Sequence, residues 1–147
     1  MWQELSVELS EILQEMFDQK YEELKAQKKM PKSSAFKAMN SLGSAAIDYA
    51  QQVIKSLMAK EEKYEYVQAL LNLQFLVARV YGKIFEKEKE KIIANMKESL
   101  NMYMKIREFL KEYATTTPMS KSIEEQFRMA NEMCELLPVK IAKIANS

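Results

Sequence analysis

Apolar side chains recur at intervals of three and four residues along most of the chain, the spacing that lines one face of an α-helix. The first such stripe reads Trp2, Leu5, Leu9, Ile12, Leu13, Met16 and Leu24 and predicts a helix over residues 2–28. Pro31 and Ser33-Ser34 end it, with a serine available to cap the second helix. That second helix is predicted over 35–60, on Phe36, Met39, Leu42, Ala46, Ala50, Val53, Ile54 and Leu57. Within it, Leu42-Gly43-Ser44-Ala45-Ala46 is a run of mostly small residues. A mid-helix glycine costs about 1 kcal/mol against alanine; close approach of a neighbouring helix to the bare backbone offsets that cost.

A third helix is predicted over 64–85 and is the most apolar: Val67, Leu70, Leu71, Phe75, Val77, Ala78, Tyr81, Ile84 and Phe85. An apolar arc this wide requires burial on more than one side, which places the helix centrally. A fourth is predicted over 90–114, turning Ile92, Met96, Leu100, Tyr103, Ile106, Leu110 and Tyr113 inward. Thr115-Thr116-Thr117-Pro118 breaks the pattern. The fifth, over 122–145, is expected to open on Ser122 with Glu125 three residues later as a capping box. Its stripe is Ile123, Phe127, Ala130, Cys134, Leu137, Ile141 and Ile144, and Pro138 inside it is expected to kink or split the helix. Between the third and fourth helices the chain reads Glu-Lys-Glu-Lys-Glu-Lys over 86–91, with no glycine, proline or cap. A tight turn is expected there, because a single rod from 64 to 114 would be unusually long for 147 residues.

Five long helices joined by short turns run antiparallel, either as a closed bundle or as a stack of helical hairpins. The composition agrees with this all-α reading. Forty-eight percent of the chain is hydrophobic and 29% is charged, enough for one core and one charged surface. Two glycines and three prolines are too few for the many tight turns of a sheet protein.

The formal net charge of +1 gives no overall pull toward nucleic acid or anionic lipid. It is unevenly spread: residues 1–28 carry seven acids against three lysines, which marks the first helix as acidic on its outer face. The longest uncharged run, Tyr66 to Ala78, has thirteen residues and is too short to cross a bilayer. Glu4 and Glu8 stand where a signal peptide would be apolar.

Catalytic chemistry finds no foothold. There is no histidine, which removes the usual general base and most metal sites. The single cysteine, Cys134, lies on an apolar stripe and reads as a buried structural thiol. The acids fall mostly off the apolar stripes, so a carboxylate di-metal centre in a bundle core is not expected. The eleven methionines read as core, with Met16, Met39 and Met96 on core stripes. No enzyme, cofactor or metal is expected. Gln68, Asn72, Arg79 and Lys83 do stand out, as a polar line along one side of the most apolar helix. A solvated stripe is the plain reading. The alternative is the lining of a groove for a partner protein, with Arg79 alone in a long neutral run.

Ala78 and Tyr81, followed by Ser99, Tyr103 and Ile106, match the small and aromatic positions of one lengthened tetratricopeptide hairpin over 64–114. Three further segments carry a more specific likeness. Phe75-Leu76-Val77-Ala78-Arg79-Val80-Tyr81-Gly82-Lys83 resembles the "ARLYSK" helix of the kinesin-binding proteins. Glu98-Ser99-Leu100-Asn101-Met102-Tyr103 resembles their "SLEHY" segment, and Asn131 to Ile141, with Leu136-Leu137-Pro138 inside, resembles their terminal "KEMVSLLPLKI" helix. The likeness covers roughly residues 65–145 and departs from the family at 86–91. It implies a tetratricopeptide-like α-solenoid that forms the C-terminal part of a larger, cytoplasmic, cytoskeleton-associated protein. It also implies a kinesin motor domain as partner, held off the microtubule by a non-catalytic module. The other reading is a helical scaffold or adaptor that takes a different peptide or protein, unrelated to motors.

Overall fold

The computed structural model describes residues 2–27 and 33–147, with side chains for 5–27 and 34–147. Five α-helices follow one another: α1 (Trp2–Ala26), α2 (Ser33–Met58), α3 (Val67–Lys83), α4 (Lys89–Thr116) and α5 (Lys121–Ala145). A single 3-10 turn, Lys63–Tyr66, leads into α3, so the helix predicted from residue 64 begins as a tighter coil. No strand occurs among the described residues. Helix α1 ends two residues earlier than the spacing suggests, and Pro31 lies outside the described residues.

Each helix packs mainly on the next in sequence, and α1 also touches α3. The result is an open stack of antiparallel hairpins rather than a closed bundle. Helix α3 is the centre. From Leu70 to Val80 only Asn72 and Arg79 are exposed; the rest is buried against α2 and α4. The small positions of the α3–α4 hairpin meet directly, where the Ser99 hydroxyl donates to the Ala78 carbonyl at 2.6 Å. Phe75 and Tyr103 pack edge to face beside them, 5.9 Å apart.

Gly43 is buried at the junction of α1, α2 and α3. A Cβ there would stand 3.0 Å from the Phe17 ring and from a Val80 methyl. The small run in α2 therefore serves packing within the chain.

The turn between α3 and α4 is real, and residues 84–88 leave the helix. With no glycine or proline, it is held from outside. The Asn40 amide of α2 donates to the Phe85 carbonyl at 2.7 Å and accepts from the Phe85 amide at 3.0 Å. Phe36 stacks on Phe85 with ring centroids 3.8 Å apart.

Three expectations are corrected. The inward face of α1 is Ser6, Ser10, Phe17 and Leu24, whereas Leu5, Ile12 and Met16 are 57%, 52% and 47% exposed. Small serines let α1 approach α2 closely, and the Ser10 hydroxyl satisfies itself on the Val7 carbonyl at 2.8 Å. Helix α5 is capped by Ser120, whose hydroxyl accepts from the Ile123 amide at 3.2 Å, not by Ser122. Glu125 pairs with Arg128 instead of closing a capping box. Pro138 does not split α5, which continues through it to Ala145.

Candidate protein-binding groove

Residues of α1, α3 and α5 line a groove of about 360 Å³. Its floor is the exposed strip of α3. One wall is Glu11, Gln14 and Glu15 of α1, and the other is Gln126 and Met129 of α5. Helix α3 points these groups outward because residues at i, i+4, i+11 and i+15 share a face, and every other face is taken by α2 and α4.

Gln68, Asn72 and Arg79 share this exposed face. The Gln68 amide donates to Asn72 Oδ1 at 2.9 Å and reaches Gln126 Oε1 at 3.5 Å, which ties α3 to α5 at the mouth of the groove. Arg79 is exposed and makes no hydrogen bond or ion pair among the described residues. It lies close enough to Tyr103 for its charge to oppose the upward push that burial gives that phenol. A guanidinium with no partner among the described residues has donors available to a ligand.

Lys83 has a different setting. It is half-buried, bridges to Asp18 of α1 at 3.3 Å, and lies 5.2 Å from the centre of the Tyr21 ring. It closes the end of the α1–α3 contact.

Sequence reasoning missed Glu11, Glu15, Gln126 and Met129 as groove residues. The acidic face of α1 was the available signal for the first two. Met129 and Leu136, seven residues apart and both exposed, give α5 an apolar rim beside the groove.

The groove offers hydrogen-bonding and charged side chains. Among the described residues no group of three or more Cys, Asp or Glu side chains converges as a metal site would need. Burial pushes the Cys134 thiol up from its ordinary value, the reverse of an activated nucleophile. No helix among the described residues is long and apolar enough to cross a membrane. A larger hollow of about 650 Å³ lies between α2 and the turn at 84–88, over the Phe36–Phe85 stack, and holds none of the four candidate residues.

The family model described as KIF-1 binding protein C terminal matches residues 1–144. The chain is similar to the KIF-binding protein of Rattus norvegicus, 30% identical over 77% of this chain and 19% of that protein. It is similar to the Homo sapiens KIF-binding protein at 28% over 77% of the chain and 19% of the relative. The Danio rerio protein of that name is 28% identical over 98% of the chain and 23% of its own length. The chain thus spans about a fifth of the length of the curated relatives it matches. No solved structure matches it.

Proposed function

The chain belongs to the KIF-1 binding protein C-terminal family, and from that membership we propose that it is a non-catalytic interaction module for kinesin motor domains. One observation carries the reading beyond the family: the most buried helix of the stack keeps Asn72 and Arg79, which has no hydrogen bond or ion pair among the described residues, open along the floor of a groove. A solvated surface needs no such concavity.

In this reading Arg79, Asn72 and Gln68 meet the partner. Lys83 supports them by holding α1 against α3. The module works in the cytoplasm beside the cytoskeleton, as the C-terminal part of a longer protein. It needs no chemistry to regulate a motor. Covering the surface that a motor uses on the microtubule blocks attachment in proportion to occupancy, so affinity alone sets the effect.

Pull-down of a panel of kinesin motor domains with the chain, followed by microtubule co-sedimentation of any captured motor, tests this. Capture of at least one motor, with less of it sedimenting, is expected. No capture from the whole panel removes motors as direct partners of these helices.

A further inference from the structure

Pro118 sets the geometry of the residue before it. A proline ring crowds its predecessor out of helical conformation and into an extended one. Thr117 accordingly closes α4 in extended conformation, at φ −140° and ψ 132°. Only Thr117 to Ser120 separate α4 from α5, with Pro118 and Ser120 exposed and Thr117 and Met119 half-buried. Of the three prolines in the chain, only Pro118 follows a hydroxyl-bearing residue.

The hydroxyls around this break are not equivalent. Thr115 donates to the Glu112 carbonyl at 2.6 Å and Thr116 to the Tyr113 carbonyl at 3.3 Å. Ser120 accepts from the Ile123 amide to cap α5. The Thr117 hydroxyl has no backbone partner, only a long 3.5 Å contact with the Thr116 hydroxyl. The Thr117 amide donates to the Tyr113 carbonyl at 3.0 Å, so the backbone is anchored while the side-chain oxygen stays free. The approach is open as well. Ala114, Thr115 and Thr116 are exposed, and threonine is a weak helix former, so the last turn of α4 frays at little cost.

We infer that Thr117 is a phosphoacceptor for a proline-directed protein kinase. Kinases of this class take the acceptor in an extended chain and select a following residue with no N–H to satisfy, which is proline alone. Thr117-Pro118 meets both conditions. In the transfer, Thr117 Oγ1 attacks the γ-phosphorus of ATP and the bond to the β–γ bridging oxygen breaks. ADP leaves, and the hydroxyl proton passes to the catalytic aspartate of the kinase. The product carries about 1.5–2 added negative charges, which reverses the sign of the formal net charge of +1. The inference stands on the α4–α5 turn and is independent of what the groove binds.

Incubation of the folded chain with an active mitogen-activated protein kinase and Mg-ATP tests it, read by intact mass and fragment-ion mapping. One phosphate per chain, carried on Thr117, is expected. Thr117→Val should abolish it, Thr115→Val should leave its rate unchanged, and Pro118→Ala should slow it about tenfold or more. The same Pro118→Ala comparison in a synthetic peptide spanning residues 112–124 does not depend on folding of a variant. Phosphate on the peptide but not on the folded chain overturns the inference, because the turn then shields the hydroxyl. Phosphate on neither, phosphate mapped to Thr115 or Thr116, or equal rates with and without Pro118 also overturns it.

Discussion

Asn40 fixes a chain reversal from 45 residues away. Its amide meets both backbone groups of Phe85, so a stretch of alternating Glu and Lys with good helix propensity leaves the helix anyway. The need for a break there could be read from the length of the apolar pattern. The group that makes it could not, because the cause is tertiary. Asn40→Ala is expected to cost about 1–3 kcal/mol by stranding two half-buried backbone groups, seen as a fall of roughly 3–9 °C in thermal melting. Gly43 was legible as a close-approach site, but not its neighbours. A methyl there gains about 1 kcal/mol of helix propensity and meets Phe17 and Val80 in a filled core, where overpacking costs about 1–3 kcal/mol. Gly43→Ala should therefore lower the melting temperature slightly and Gly43→Val strongly. A stabilised Gly43→Val would show that the junction is loose. Arg79 and Lys83 look alike in sequence, four residues apart on one face. Asp18 on α1 separates them, and nothing in the local pattern announces that pairing.

Among the elements, α1 is where hydrophobic periodicity misleads. Its greasiest line, Leu5 to Met16, is exposed, and its buried line starts with two serines. A moment drawn from side-chain hydrophobicity follows the larger residues. Helix–helix contact instead rewards small residues where backbones come close, and Phe17 fills the space left against Gly43. Helices α2, α3 and α4 read correctly because their large apolar residues and their contacts coincide, although Leu73, Leu76, Met102 and Phe109 join the core beyond the expected stripes. At α5 two serines compete for one cap, and only the backbone geometry of Ser120, extended at φ −67° and ψ 165°, decides between them. Ser120→Ala should cost about 1 kcal/mol, measured by thermal or urea melting, whereas Ser122→Ala should be nearly silent. The reverse order would return the capping role to Ser122.

For the whole molecule, sequential packing sets α3 between α2 and α4, with α1 also touching it, and leaves an open face beside it. The all-α class, the five elements and their antiparallel order could be read from periodicity alone. The groove could not, because its walls come from α1 and α5 on either side of α3, a relation of helices far apart in the chain. The stack also has a characteristic pH response. With no histidine, its stability is expected to be level across about pH 6–8. Burial raises the Cys134 thiol, and the Tyr81 and Tyr103 phenols, above their ordinary values of 9.0 and 10.0. Each group ionises first in the unfolded chain. Their contribution is therefore complete below those values and is lost as pH rises through the raised folded ones. A melting temperature that falls only above about pH 9 is expected, and a fall between pH 6 and 8 would contradict the assignment.

The central claim is that the strip of α3 beneath the groove makes the contact with a motor domain. Titration calorimetry of a captured kinesin motor domain with the wild-type chain, Arg79→Glu, and Lys55→Glu on exposed α2 tests it most directly. The expected result is binding weakened about tenfold or more by Arg79→Glu alone, some 1.4 kcal/mol, with all three proteins melting together. Equal affinity for the wild-type chain and Arg79→Glu would contradict the claim.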